Sequence, residues 1–148
     1  MKYGVRGGVT VLLLAISAPA SAAADIAMHR DPGCGCCEKW AVQVRQQFGR
    51  KVQIIDDARR EVLQRKIGLP ADLASCHTAI IDGMAFEGHV PIADMKRALA
   101  KHPKDVRGLA VAGMPMGSPG MDVPGMSAQR YDVIAFGAAG RRVFARHG

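Results

Sequence analysis

Three cysteines stand within four positions in Asp31-Pro32-Gly33-Cys34-Gly35-Cys36-Cys37-Glu38-Lys39-Trp40, where a strand pattern gives way to a helix pattern. Upstream, Ile26 and Met28 alternate with Ala27 and His29, a strand signature that Asp31-Pro32-Gly33 ends. Downstream, Trp40, Ala41, Val44 and Phe48 share one face of a helix expected over Cys37 to Phe48, with Gly49 as its stop. Cys34 and Cys37 therefore form a C-x-x-C pair at a helix start, the redox position of a thioredoxin-like domain. The free N–H groups and partial positive charge there favour thiolate over thiol. Thiolate is both a nucleophile and a metal ligand.

The rest of the chain alternates. Val52 to Ile55 reads as a buried strand. Asp56 and Asp57 then cap a helix over Arg59 to Ile67, with Val62, Leu63 and Ile67 inward. Thr78 to Ile81 and Met84 to His89 are strands joined by the hairpin signal Asp82-Gly83. Pro91 opens a third helix with Ile92, Met95 and Leu99 inward, and Pro103 lies beyond its end. Leu109 to Ala112, Tyr131 to Phe136 and Arg142 to Ala145 are further strands, the last two paired across Gly137 to Gly140. This β-α-β-α-β-β-α order with an extension predicts an α/β layer fold. Gly113 to Met126 is rich in Gly, Pro and Met and cannot be a regular helix or central strand.

The cysteine pattern leaves several chemistries open. A dithiol oxidoreductase uses two sulfurs, Cys34 and Cys37, and leaves Cys36 unexplained. Two disulfides would need Cys76 to pair with the cluster, because a bridge between neighbours Cys36 and Cys37 is strained. Structural zinc sites draw ligands as spaced pairs, which C-x-C-C with a lone Cys76 is not. Crowded thiolates suit soft metal ions, where sulfur bridges. Cys76, in Ser75-Cys76-His77-Thr78, lies at the start of the third strand, which faces the redox loop in a thioredoxin-like layout; His77 adds a nitrogen. Thioether sulfur favours Cu(I), so Met114, Met116 and Met121 are candidate ligands, set against adaptable packing over the core. Packing is the reading for Met126, and core for Met28, Met84 and Met95. His89 approaches the site or caps its loop, His29 stands behind the cysteines, and His102 and His147 are surface residues.

Lys2 and Arg6, the apolar run Val9 to Ala18 and the small residues of Ala20-Ser21-Ala22 form a signal peptide pattern over 1–22. The run falls short of the roughly 20 residues a span requires, so no stable membrane insertion is expected. The remaining 23–148 is one domain, exported to an oxidising compartment. At 49% apolar and 22% charged the 148-residue chain is globular rather than disordered. Its net charge of +7 is scattered, with one Trp and two Tyr, so no nucleic-acid partner is expected.

Cys34-Gly35-Cys36-Cys37-Glu38-Lys39-Trp40, Ser75-Cys76-His77-Thr78, Glu87-Gly88-His89-Val90-Pro91 and Gly113-Met114-Pro115-Met116-Gly117-Ser118-Pro119-Gly120-Met121 together resemble the CopG-type periplasmic copper proteins, over about Ile26 to Ala145. The resemblance implies a thioredoxin-like domain with a Met-rich C-terminal extension, here 112–148. It also implies copper bridged by Cys34, Cys36, Cys37 and Cys76, with Met114, Met116, Met121, His77 and His89 as further candidate ligands. The implied role is copper tolerance in the periplasm, by holding copper or interconverting Cu(I) and Cu(II). A monomer is expected, and a module that hands copper to a carrier or an efflux system is an alternative that an exposed Met loop would suit. One departure from ordinary thioredoxins is that Ser75-Cys76-His77-Thr78 has no proline before the third strand, which argues against general disulfide exchange.

Overall fold

The computed structural model describes Met1 and residues 24–148; the expected leader, Met1 apart, lies outside the described residues. The strands are β1 (Ile26–Arg30), β2 (Val52–Asp56), β3 (His77–Ile81), β4 (Met84–Glu87), β5 (Val106–Ala110), β6 (Tyr131–Gly137) and β7 (Gly140–His147). The helices are α1 (Gly35–Phe48), α2 (Arg60–Lys66) and α3 (Ile92–Lys101), with a 3-10 turn at Ala71–Leu73. The strands form one seven-stranded mixed sheet in the order β2-β1-β3-β4-β5-β6-β7.

Two crossovers build its centre. The helix α1 carries the chain from β1 to its parallel neighbour β2, and α3 carries it from β4 to parallel β5. Between them β1, β3 and β4 run antiparallel, and β6 and β7 continue the sheet antiparallel from β5. The main core gathers Trp40, Ala41 and Val44 of α1, Met95 and Ala98 of α3, and Met28, Ile81 and Phe86 from the strands. The opposite face buries a smaller cluster, Leu73, Ala85, Ala110 and Phe136. Alternation along β4 divides Met84 and Phe86 from Ala85, as a pleat requires. No helix among the described residues is long and apolar enough to cross a membrane.

Some expectations shift for physical reasons. The helix α1 begins at Gly35 rather than Cys37, so Cys34 is its N-cap and Cys36 and Cys37 sit in the first turn. Gly49 ends it in the left-handed conformation, φ 62°. The strand β2 is a sheet margin, half open to solvent, where a buried strand was expected. In α2 the expected apolar face holds in part: Ile67 packs on the smaller cluster and Leu63 is half-buried, but Val62 is 52% exposed and Arg60 is the fully buried residue, at 6%. Asp57 accepts a hydrogen bond from the Arg59 N–H, but the cap position itself is Arg59. Along α3, Met95 is fully buried and Ile92 and Leu99 are half-buried against the main core as expected, and the polar Asp94 is buried beside them.

Candidate metal centre

The centre forms where β1, α1 and the start of β3 converge. Asp31 N–H donates to the Cys76 carbonyl at 3.0 Å, fastening the loop after β1 to the segment before β3. Arg30 stiffens the same loop: its guanidinium donates to the Cys34 carbonyl at 3.0 Å, to Glu38 at 2.8 Å and to Asp56 at 2.7 Å. The hydrogen bond to Glu38, then that to Asp56, holds the Arg30 pKa above its ordinary value.

Here Cys34 and Cys37 are joined in a disulfide, while Cys36 and Cys76 are free thiols. The Sγ of Cys36 lies 3.3 Å from that of Cys34, and the Sγ of Cys76 lies 3.3 Å from that of Cys37. One donor atom from each of these four cysteines falls within 4.8 Å of every other. Cys37 is fully buried and Cys76 is 8% exposed, whereas Cys34 and Cys36 are partly open. As ligands, Cys34 and Cys37 become available only on reduction of their bond. Burial, and secondarily the nearby Cys36, pushes the Cys76 thiol up to about 12, so in the metal-free chain it keeps its proton at neutral pH.

Two histidines close the inner side. His89 Nδ1–H donates to the Pro119 carbonyl at 2.8 Å, which leaves Nε2 as a bare lone pair 3.3 Å from the Cys76 sulfur. His77 places Nδ1 3.5 Å from the same sulfur, and its Nε2 is buried without a partner. Burial lowers both imidazole pKa values; for His77 any proton on His89 and the Arg60 charge oppose protonation further, so both rings are neutral. Trp40 packs as expected, its Nε1–H donating to the Val90 carbonyl at 3.1 Å, and its ring lies 4.5 Å from that of His77.

The Gly- and Met-rich segment folds back over the centre. Met114 is 51% exposed, and its Sδ lies 3.8 Å from the Cys36 sulfur. Gly120 is seated on the first turns of α1 at φ +84°, where an added Cβ would stand 2.8 Å from the Cys36 carbonyl oxygen and 2.9 Å from the Trp40 nitrogen. Met116 and Met121 are half-buried in the same segment, Met116 receiving a backbone hydrogen bond from Gln129 and Met121 bonding through its N–H to Ser118. Neither thioether is seen against a cysteine. Met126, expected to pack, is 59% exposed; Met28, Met84 and Met95 are core. His29 pairs with Asp57 at 3.0 Å, and His147, expected at the surface, pairs at 2.7 Å with the buried Asp94.

Sequence reasoning missed the polar network behind Cys76. Glu87, fully buried at the end of β4, accepts from Arg60 at 3.2 Å, Gln64 at 2.8 Å, the Ser75 N–H at 2.7 Å, and Thr78. Arg60 also donates to Asp31, at 3.0 Å, and to the Ser75 carbonyl. Burial raises the Glu87 pKa, and the hydrogen bonds from Thr78 and Ser75 and the Arg60 charge pull it partly back. The network binds the segment before β3 to the β1 loop, so it sets where Cys76 stands. A charged residue closing an otherwise apolar β4, Met84-Ala85-Phe86-Glu87, is the one signal in the sequence that pointed to it.

A helix N-terminus carrying a C-x-C-C turn, with a fourth sulfur delivered from the neighbouring strand, defines an α/β protein with a cysteine cluster capable of binding metal. Residues 73–121, which hold Cys76, both inner histidines and Met114, Met116 and Met121, match the family described as protein of unknown function DUF411. Two similar solved structures are named copper resistance protein CopG, forms 1 and 2. Form 1 is 37% identical over 85% of this chain and 98% of its own, with a TM-score of 0.75. Form 2 is 38% identical over 84% and 98%, with a TM-score of 0.74. No curated protein sequence matches the chain. The chain belongs to the CopG copper-resistance family.

Proposed function

We propose that this is an exported, thioredoxin-like copper protein of the periplasm that holds copper as cargo in its cysteine cluster and changes its oxidation state there. The observation that carries this reading is the gathering of Cys34, Cys36, Cys37 and Cys76 donors within 4.8 Å, with the Met114 thioether 3.8 Å from Cys36. Thiolates and a thioether form a soft donor set, which prefers Cu(I) to harder ions. His77 and His89 supply nitrogen on the inner side. The solved relatives are named for copper resistance, and that name supports copper over zinc.

The Cys34–Cys37 disulfide supplies the redox step. Two Cu(II) ions take one electron each from the Cys34 and Cys37 dithiol. The sulfurs join, two protons leave, and two Cu(I) ions result. Reversal needs a two-electron donor to the disulfide, such as a periplasmic dithiol. The same bond favours a second reading, a thiol–disulfide oxidoreductase with Cys76 as internal partner, because the Cys76 sulfur already stands 3.3 Å from that of Cys37. Delivery of copper to an efflux partner is a third, supported by the open position of Met114.

The test is copper and zinc content together with thiol count on reduced, copper-loaded chain. Two or more coppers per chain, falling in Cys36→Ser, is the expected result. Zinc alone, or copper content unchanged in Cys36→Ser, overturns the cluster. Disulfide reductase activity that survives Cys36→Ser and is lost in Cys34→Ser selects the second reading.

A further inference from the structure

The second half of the Gly- and Met-rich segment builds a feature that the cysteine cluster does not use. The Met116 carbonyl accepts from the Gln129 N–H at 2.9 Å, and the Met116 N–H donates to the Gln129 side-chain oxygen at 2.9 Å, so the loop 116–129 is closed at its neck. Within it Val123-Pro124-Gly125-Met126 forms a turn. The Met126 N–H donates to the Val123 carbonyl at 3.1 Å, Pro124 presets the first corner, and Gly125 takes φ +81° at the second. The neck fixes the backbone of Met116, and the turn fixes that of Met126. Both side chains line one open pocket of about 350 Å³, with Asp122 beside them.

Burial, charge and position give this pocket the character of a metal site. A methionine that only packs is buried, as Met28, Met84 and Met95 are, at 2% exposure or less; Met126 is 59% exposed and Met116 only half-buried. Thioether sulfur is a soft donor that suits Cu(I) and is a poor partner for hard ions. The Asp122 carboxylate adds negative charge to the same wall, which favours a cation over a neutral apolar ligand. Met114, whose Sδ lies 3.8 Å from the Cys36 sulfur, is two residues from Met116, a separation that keeps their Cα atoms within about 7 Å. From either side of Pro115, Met114 therefore serves the cluster and Met116 the pocket.

We propose that Met116 and Met126 form an outer Cu(I) site, separate from the cysteine cluster, that takes up the ion and passes it by way of Met114 to Cys36. The proposal rests on the copper reading above and adds to it a route of entry. A thioether carries no proton and takes no part in disulfide chemistry. The outer site therefore binds with no proton released and no electron moved, and it is available whether Cys34 and Cys37 are bonded or not. Two neutral sulfurs hold Cu(I) less tightly than thiolates do, so the ion moves inward.

The experiment uses chain with carbon-13-labelled methionine methyls, in its disulfide form with Cys36 capped by iodoacetamide. Ag(I) is the probe, a soft monovalent ion with the closed d shell of Cu(I). The expected result is that the Met116 and Met126 methyl signals move together and saturate with one ion, while those of Met28, Met84 and Met95 stay still. Met126→Leu should weaken that ion by more than about 10-fold, beyond the loss of a merely supporting partner. The affinity should be the same at about pH 6 and about pH 8, whereas a thiolate site would tighten. Met116 and Met126 signals that stay still, or that move at different Ag(I) concentrations, overturn the site. Transfer is read on reduced, uncapped chain supplied with Cu(I) as its acetonitrile complex. Met116→Leu/Met126→Leu should reach wild-type copper content but fill several-fold more slowly, and an unchanged rate overturns the entry role. Silent thioethers with normal Cu(I) loading of the cysteines refute this inference alone. Responsive thioethers with no Cu(I) at the cysteines refute the cluster and leave the outer site standing.

Discussion

Gly120→Ala separates the extension from the centre it covers. Gly120 sits at φ +84°, so any L-residue there carries left-handed strain of about 1–2 kcal/mol. Its Cβ would also stand 2.8 Å from the Cys36 carbonyl oxygen and 2.9 Å from the Trp40 nitrogen, both backbone atoms of a packed helix. These cannot swing aside as a side chain would, so overpacking adds about 1–3 kcal/mol. The neighbouring Pro119 carbonyl is the partner of His89, and a displaced loop forfeits that bond, worth about 0.5–1.5 kcal/mol. Gly125 is the control, with φ +81° and nothing within 4 Å of an added Cβ, so Gly125→Ala carries the strain alone. In urea unfolding of metal-free chain, Gly120→Ala should lose about 2–5 kcal/mol and Gly125→Ala about 1–2. If the loop lifts off instead of the fold failing, global stability falls less, amide exchange over 114–121 rises, and Cu(I) is lost faster to a competing chelator. Equal effects of the two substitutions in all three assays would show that Gly120 does not seat the extension on α1.

Other expectations follow from the same geometry. Burial lowers the pKa of His77 and His89, so the unfolded chain binds more protons below the ordinary value of 6.5 and stability is lost as pH falls through that value. The metal-free unfolding free energy from urea titration should decline from pH 7 to pH 5, by up to about 1.4 kcal/mol per pH unit for each imidazole, and His89→Gln should flatten the slope; a free energy independent of pH contradicts neutral burial. Arg60→Met strands the buried Glu87 and should cost about 3–5 kcal/mol at pH 7, less at low pH where Glu87 takes up a proton; a loss below about 1 kcal/mol would deny the network its role. Met114→Leu should leave copper stoichiometry unchanged but speed Cu(I) loss to a chelator, because only the thioether 3.8 Å from Cys36 is removed; unaltered release kinetics would place Met114 outside the exchange path.

What could be read in advance follows local rules. The turn Asp82-Gly83, the helical spacing of Trp40, Ala41 and Val44, and the alternation of Ile26 and Met28 are short-range patterns, and each element formed where its pattern lay. The approach of Cys76 to the other cysteines was legible because a strand start after a crossover has few places to go. Reading failed where tertiary context overrode periodicity. Val62 looked like part of the inner face of α2, but Glu87 at the end of β4 drew Arg60 inward, and no pattern within α2 announces a partner 27 residues away. His89 was ambiguous because its orientation depends on the Pro119 carbonyl, 30 residues on, in a segment without regular structure. His147 was read as a plain surface residue for the same reason: its partner, Asp94, lies in another element.

The added strands β6 and β7 have a consequence at the far margin of the sheet. An outermost strand offers unpaired backbone groups to any passing chain, and long flat ones seed fibres. Here the last strand presents Arg141, Arg142 and Arg146 to solvent, so a second copy laid against it would bring guanidinium to guanidinium. The break in register between Val133 and Ile134 also twists the hairpin away from flatness. The extension thus works at both its ends. Its first half roofs the sulfurs, and its second half terminates the growth of the sheet with charge, so that an exposed thiol-bearing surface does not sit beside an adhesive one.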